Sequence, residues 1–184
     1  DDTGNDTPQP NADPVCRLKT DTETIGEYST VSAAIKDTTS SSTLYTIEML
    51  QDNVSVTNFR FGDVENTDMK EARNITFTTS AELKTQIGKN ATLTKPETED
   101  YHSSEGSPNG DRYWVHSLFY IYNSTKLYFQ DITLDDIYKD TRPLAPKADY
   151  KTEQEPYLTC ALINLEGANG QVSLLSGAVL QNSN

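Results

Sequence analysis

The sequence predicts an all-β fold in which short strands wind into stacked coils, as in a parallel β-helix. The chain of 184 residues holds many short runs in which β-branched or aromatic residues alternate with polar ones, a pattern typical of strands. Residues 118–136 also resemble residues 161–182 at an offset of about 44–46 positions. Repeats of this length indicate structural units that stack on one another.

Each repeat unit contains three short strands separated by small polar corners. Such a unit cannot bury its own apolar face, so it needs a neighbouring unit to cover it. A β-sandwich of antiparallel strands is the alternative fold. The dipeptide Asn169-Gly170 favours that alternative, because it is typical of tight hairpin turns.

The N-terminal part of the sequence is predicted to contain a linker, a strand and a helix. Residues 1–14 contain three prolines and no large apolar side chain, which predicts a flexible linker. A first strand is predicted over residues 15–19. A short capping helix is predicted over residues 30–37, because apolar residues recur there at helical spacing and Thr30 suits the N-cap position.

The middle of the chain alternates strand patterns with one ambiguous segment, residues 80–87. A helix there would have Ser80 as its N-cap and Gly88 after its last turn. Strands are predicted over residues 44–50, 54–61, 74–78 and 91–94.

The second half alternates strand-rich and polar segments. Polar insertions are predicted over residues 95–112 and 138–156. We expect a single domain over residues 15–184 that is truncated at its C-terminal end, where an open coil would expose strand edges. Strands are predicted over residues 114–122, 126–129, 131–135, 158–165, 171–175 and 178–180.

The charge of the chain argues against nucleic-acid binding. The chain carries 15 basic and 28 acidic residues, a net charge of −13, which repels phosphate. No run of about 18 apolar residues occurs, so the sequence predicts no membrane-spanning helix. The acidic composition suits an extracellular setting. It is also the composition expected of an ordinary solvent-exposed surface.

Two cysteines, Cys16 and Cys160, lie too far apart in the sequence to form a metal-binding motif of closely spaced thiols. Two interpretations remain open. They form a disulfide, which would close a long loop and stabilise the fold by roughly 4–5 kcal/mol, or they are two buried thiols. Spacing in the sequence does not decide between these states.

Three acidic residues beside a predicted coil, Asp131, Asp135 and Asp136, are the candidates for catalysis. Two carboxylates that cleave a glycosidic bond lie about 5–9.5 Å apart. Asp131 and Asp135 would be about 13 Å apart along one strand, so a neighbouring coil would have to supply a closer partner. Calcium binding and a solvated face are the other interpretations. The acidic loop over residues 97–111 offers a second place for calcium, and no other metal or cofactor is predicted.

Aromatic side chains crowd into the region from residue 113 to residue 129. An exposed aromatic strip suits a sugar-binding groove, because flat rings with a polar edge can stack on sugars. Packing in the core and stacking between coils is the competing interpretation. The candidate ligand-binding residues are Tyr113, Trp114, Tyr120, Tyr122 and Tyr128.

Five segments together resemble a known class of protein: residues 15–18, 27–35, 45–52, 126–135 and 177–182. Their sequences are VCRL, EYSTVSAAI, YTIEMLQD, KLYFQDITLD and GAVLQN. They are similar to the N-terminal region of large cell-surface proteins of gut Gram-positive bacteria. In those proteins such segments open and build right-handed parallel β-helix coils of the pectin-lyase-like type.

The resemblance implies a secreted protein on the bacterial cell surface. The resemblance implies no single activity. Because the sequence contains no catalytic constellation, we expect an adhesive or structural β-helix module that binds a glycan or a host surface protein. The alternative within this class is a polysaccharide lyase or a glycoside hydrolase, because one fold carries many activities. From the side of the fold, a β-sandwich binding module is a third hypothesis. At the C-terminal end we expect further coils of the same chain or a second copy in a crystal.

Overall fold

The structure is a computed structural model that describes residues 13–56, 59–64, 67–94, 102–103, 112–113, 117–135 and 162–181. Strands dominate these residues, which confirms the all-β class. In chain order the elements are β1 (Cys16–Lys19), β2 (Thr24–Tyr28), α1 (Val31–Lys36), β3 (Leu44–Met49), β4 (Val54–Ser55), β5 (Phe59–Phe61), β6 (Asn74–Thr79), α2 (Ala81–Ile87), β7 (Thr92–Thr94), β8 (His102–Ser103), β9 (Arg112–Tyr113), β10 (Phe119–Ile121), β11 (Lys126–Phe129), β12 (Thr133–Asp135), β13 (Ile163–Leu165), β14 (Gln171–Leu174) and β15 (Val179–Gln181).

Most strands belong to three parallel arrays that the chain visits in a repeating order. The first array is β3, β6, β11 and β14, the second is β4, β7, β12 and β15, and the third is β5, β10 and β13. Neighbours within each array pair in parallel. The chain passes from the first array to the second and the third, and then returns to the first. This arrangement differs from the antiparallel sheets of a β-sandwich.

The internal repeat is confirmed by strand pairing. Its two copies lie side by side in all three arrays, at offsets of 44, 45 and 46 residues: Phe119 pairs with Ile163, Lys126 with Gln171 and Thr133 with Val179. The hairpin that Asn169-Gly170 favoured is not formed. This dipeptide connects β13 to β14, which belong to different sheets.

The N-terminal strands extend the first array into a mixed sheet of six strands. β1 pairs antiparallel with both β2 and β3, so β2 forms the outer edge of this sheet. The predicted strand over residues 15–19 is therefore confirmed as β1, whereas β2 was not predicted. Helix α1 packs on β1 and β2 and buries three apolar side chains: Val31, Ala34 and Ile35.

Both helices begin at the expected caps. In α1 the Thr30 side chain accepts a hydrogen bond from the Ala33 amide, and in α2 the Ser80 side chain accepts one from the Leu83 amide. Such bonds satisfy amides that the helix itself leaves unpaired. Gly88 ends α2 in the left-handed region, with φ +69°, a conformation that glycine adopts without steric cost.

The core lies between the three arrays, where alternate side chains of each strand point inward. In the first array the strand register aligns these side chains in ladders, so that Phe129 lies beside Phe77. Their rings are stacked, with centroids 5.3 Å apart. Phe119 of the third array reaches the same cluster, 5.1 Å from Phe77, so aromatic contacts join two arrays across the core.

The structure corrects one predicted strand and shortens others. Residues 54–61 form two strands in different arrays, β4 and β5, rather than one. Two consecutive polar residues, Thr57 and Asn58, interrupt the alternation of polar and apolar residues in this run, and they are the sequence signal that separates the two strands. Of residues 114–122, only Phe119–Ile121 is a strand among those described.

Several predicted segments lie outside the described residues. These are residues 1–12 of the predicted linker, most of the insertion over 95–112, and residues 136–161. At the linker end, the Gln51 side chain donates hydrogen bonds to the carbonyls of Asp13 and Pro14, at 2.9 and 3.3 Å. Within the 95–112 insertion, β8 pairs antiparallel with β9.

Candidate functional site: a groove on the six-stranded sheet

A shallow groove of about 520 Å³ crosses the outer face of the first array. This size falls within the roughly 300–1,000 Å³ range of ligand sites in proteins. The groove crosses β3, β6, β11 and the residue after β14, so rigid strands rather than one loop form its floor. It is lined by Ser42, Leu44, Asn74, Thr76, Lys126, Tyr128, Gln130 and Leu175.

Strand alternation explains why these side chains face outward. In β11 the core holds Leu127 and Phe129, so Lys126 and Tyr128 must point to the opposite face. Positions two apart on a strand are about 6.5–7 Å from each other. The lysine and the tyrosine therefore present a cation and a ring side by side.

Parallel register brings residues from distant parts of the sequence beside Tyr128. Thr76 on β6 and Ser173 on β14 are its direct neighbours on the two sides. Asn74 occupies the corresponding position next to Lys126. The Asn74 side-chain amide donates to the Ser41 carbonyl at 2.8 Å, which holds this side chain at the edge of the groove.

Lys126 differs from the other lysines of the described ranges. The other five each have a carboxylate partner, namely Lys19 with Glu48, Lys36 with Asp68, Lys70 with Asp63, Lys84 with Asp131 and Lys89 with Asp52. Within the part of the chain that the structure describes, Lys126 has no such partner. The groove thus contains a cation without a carboxylate partner among the described residues, in a protein of net charge −13.

The structure separates Tyr120 and Tyr122 from Tyr128. Tyr120 and Tyr122 lie at the third array, where their rings are stacked at 6.2 Å. Arg60 lies over the Tyr120 ring at 5.2 Å, and Tyr120 is only 9% exposed. Burial raises the pKa of Tyr122, and the negative charge of Glu166 raises it further. These contacts describe a packed cluster, whereas Tyr128 lies on a different sheet.

The other two aromatic candidates have less structural description. Tyr113 belongs to β9, which pairs with β8. Trp114 lies outside the described residues. Of the three predicted ligand-binding residues whose side chains the structure describes, Tyr128 is the one that lines the groove.

Asp131 is held at the corner between β11 and β12. Its backbone has φ +48°, and its side chain forms an ion pair of 2.8 Å with Lys84 of α2. Its amide donates to the Ser176 carbonyl at 3.0 Å. Asp131 therefore joins α2 to the turn between β14 and β15.

The other two predicted acids are not gathered around Asp131 by any described contact. Asp135 accepts a hydrogen bond of 2.8 Å from the Gln181 side chain, its neighbour on β15. Asp136 and the acidic residues of the loop over 97–111 lie outside the described residues. Among the residues that the structure does describe, no group of three or more potential metal ligands is found.

Cys16 lies fully buried in β1 and has no disulfide partner among the described residues. It donates to the Thr30 carbonyl at 3.7 Å, and burial raises its pKa to about 12. Cys160 lies outside the described residues, so the pairing of the two cysteines stays a prediction.

Comparison with known proteins gives no assignment: no family model, no curated protein and no solved structure matches this chain. Among the described residues, no helix is long and apolar enough to cross a membrane. The groove itself was not predicted as a site. Its residues come from segments separated by insertions of different length, which hide the register of β3, β6 and β11 in the sequence.

Proposed function

We propose that this chain is a right-handed parallel β-helix module that binds a glycan through the groove on its first array. The repeating order of the three arrays supports the coil architecture. The right-handed sense follows from a general rule, since connections between parallel strands are right-handed in about 98% of cases.

The position of Tyr128 in the groove is the observation that supports glycan binding most directly. Its ring is half-buried at the centre of the strand row, with hydroxyl-bearing neighbours Thr76 and Ser173 on either side. A tyrosine offers an apolar face to a sugar ring and a hydroxyl for hydrogen bonding. Asn74 and Gln130 add amide groups at the margins of the same groove.

Lys126 points to the chemical class of glycan. A cation without a carboxylate partner favours a ligand that supplies an anion, since a charge-assisted hydrogen bond is stronger than a neutral one. The proposed ligand is therefore a glycan with an acidic sugar, such as a uronate or a sialate. Its carboxylate would lie at Lys126 and its ring would stack on Tyr128.

A role on the bacterial cell surface, as an adhesive or structural module, is part of this proposal. It is supported by the sequence resemblance and by the acidic composition. Cleavage of a polysaccharide is the alternative, and the structure offers it less support. Asp131 is paired with Lys84, and Asp135 bonds to Gln181.

Titration calorimetry tests the proposal with paired acidic and neutral oligosaccharides. The probes are sialyllactose against lactose, and trigalacturonate against a neutral trisaccharide. We expect at least one acidic probe to bind. Tyr128→Ala and Lys126→Gln should each weaken its affinity roughly tenfold, the factor that about 1.4 kcal/mol gives.

Lys70→Gln is the matched control for Lys126→Gln. It removes the same charge from an exposed lysine that is paired with Asp63 and lies away from the groove, so it should leave the affinity unchanged. Equal affinity for acidic and neutral probes would show that Lys126 does not select an acidic ligand. No binding of any probe, or full affinity in Tyr128→Ala, would contradict the groove as a glycan site.

A further inference from the structure

The groove extends beyond Tyr128 toward β3. Four of its eight lining residues belong to β3, to β6 or to the loop before β3, whereas Leu175 alone lies on the β14 side of β11. Leu44 pairs with Asn74, and Asn74 pairs with Lys126. With neighbouring strands about 4.8 Å apart and alternate positions of one strand about 6.7 Å apart, the Cα atoms of Leu44 and Tyr128 are about 12 Å from each other. A sugar ring that stacks on Tyr128 therefore leaves Leu44 uncovered.

Leu44 is an exposed apolar side chain in an uncharged part of the groove. It is 53% exposed, because strand alternation places it on the outer face of β3. The groove around it is lined by Ser42, Asn74 and Thr76, which offer hydroxyl and amide groups. Lys126 is the single charged residue of the groove lining among the described residues. An apolar contact surrounded by neutral hydrogen-bonding groups suits a neutral sugar.

The loop between α1 and β3 is held in place by hydrogen bonds beside this part of the groove. The buried Tyr45 hydroxyl accepts hydrogen bonds from the amides of Thr39 and Ser40, both at 3.1 Å. The Ser40 hydroxyl accepts a hydrogen bond from the Ser42 amide at 3.1 Å. The side-chain amide of Asn74 donates to the same loop. A surface that is ordered before the ligand arrives loses less conformational entropy on binding.

We propose that Ser42 and Leu44 form a second sugar subsite, which takes a neutral sugar linked to the acidic sugar at Tyr128 and Lys126. This inference rests on the proposed glycan site and specifies its ligand further. The apolar face of the neutral sugar covers Leu44, and its hydroxyl groups bond to Ser42. The glycan thus runs across the strands, from β11 toward β3.

Titration calorimetry with probes of two lengths tests the second subsite. The long probes are sialyllactose and the disaccharide glucuronosyl-glucose, and the matched short probes are methyl sialoside and methyl glucuronide, which lack the neutral sugars. For the acidic sugar that binds, we expect the long probe to bind roughly tenfold more tightly than the short one, because it removes part of Leu44 from water. Leu44→Gln should abolish this difference by weakening the long probe alone.

Leu175→Gln is the matched control for Leu44→Gln. It replaces a leucine of similar exposure, 44%, on the opposite side of the groove, so it should keep the difference between long and short probes.

Three results would overturn the second subsite: equal affinity for the two probes of a pair, a difference that survives Leu44→Gln, or tighter binding of trigalacturonate than of either long probe. In each case, loss of short-probe or trigalacturonate binding in Tyr128→Ala would leave the glycan site itself in place. No binding of any probe would overturn both proposals.

Discussion

Single residues show how this fold satisfies buried polar groups at its corners. Arg73 is only 6% exposed, yet its guanidinium donates to the side chain and the carbonyl of Thr38, and to the Ala72 carbonyl. A buried charge is tolerated when such hydrogen bonds surround it. The Arg73 amide in turn donates to Thr125, which is fully buried. This network links the end of α1 to the start of β6 and β11.

Asp52 has a similar structural role at the next corner. Burial acts to raise its pKa, but hydrogen bonds from Lys89 and from the amides of Asn53 and Thr92 outweigh burial and hold the pKa below its usual value. The Asp52 carboxylate therefore stabilises the fold at pH values above the usual aspartate pKa. This contribution is lost as the pH falls through the lowered value.

The buried Cys16 thiol predicts a pH-dependent loss of stability. Because its pKa is raised from 9.0 to about 12, the neutral thiol stabilises the fold below about pH 9, and this contribution is lost as the pH rises toward 12. We expect the free energy of unfolding of Cys160→Ser to fall more steeply above pH 9 than that of the double variant Cys16→Ala/Cys160→Ser.

Comparison of these two variants cancels other groups that titrate in the same range. Tyr28 is one of them, because burial and its hydrogen bond to Asp37 raise its pKa to about 12. In Cys160→Ser at pH 8, iodoacetamide should label Cys16 only after unfolding. Rapid labelling of the native protein, or equal pH slopes for the two variants, would refute a buried thiol.

At the scale of elements, the corners between strands limit which residues the chain accepts. Gly177 lies between β14 and β15 with φ +75°, and a Cβ added there would lie 2.2 Å from the Asp131 carboxylate oxygen. Gly88 has a similar φ of +69°, but an added Cβ would meet nothing within 4 Å. Substitution of each glycine by alanine therefore distinguishes the cost of backbone strain, which both positions share, from the cost of a steric clash, which arises only at Gly177.

We expect Gly88→Ala to lower the free energy of unfolding by about 1–2 kcal/mol, the cost of a left-handed conformation for alanine. Gly177→Ala should cost at least about 1 kcal/mol more, because overpacking adds to the same strain. Chemical denaturation of both variants measures the difference. Equal losses would show that Asp131 does not approach Gly177 as described.

The two helices illustrate what the sequence predicts well at this scale. Their caps, Thr30 and Ser80, are local signals that depend only on neighbouring residues. The sequence predicted the helix after Thr30, whereas it left the segment after Ser80 ambiguous and gave Ser80 only as the cap of a helix that would form there. β2 was missed because its sequence, TIGEY, has a glycine at its centre and alternates poorly. It becomes a strand because it pairs with β1, a tertiary contact that the local sequence does not encode.

At the scale of the whole molecule, the sequence predicted the pairing of the last strands of the three arrays but not that of the first strands. The repeat offset of 44–46 residues matches the register of β10, β11 and β12 with β13, β14 and β15. Between β3 and β6 the offset is 30 residues, as in Leu44 with Asn74, and between β6 and β11 it is 52, as in Asn74 with Lys126. Unequal insertions conceal these pairs.

The groove could not be predicted from the sequence for the same reason. Tyr128 was predicted as a ligand-binding residue because aromatic residues are frequent in its region. The groove around it depends on Asn74 and Thr76, which only the register places beside Lys126 and Tyr128. That Lys126 lacks a carboxylate partner among the described residues is likewise visible only from the contacts of the structure, not from the sequence.

The most direct test of the account is a nuclear magnetic resonance titration of the isotope-labelled chain with sialyllactose and with trigalacturonate. We predict that an acidic oligosaccharide shifts the amide resonances of Thr76, Lys126 and Tyr128 in a saturable manner, while those of Tyr120 and Tyr122 stay in place. Saturable shifts confined to another surface, or none with either oligosaccharide, would contradict a glycan site in the groove.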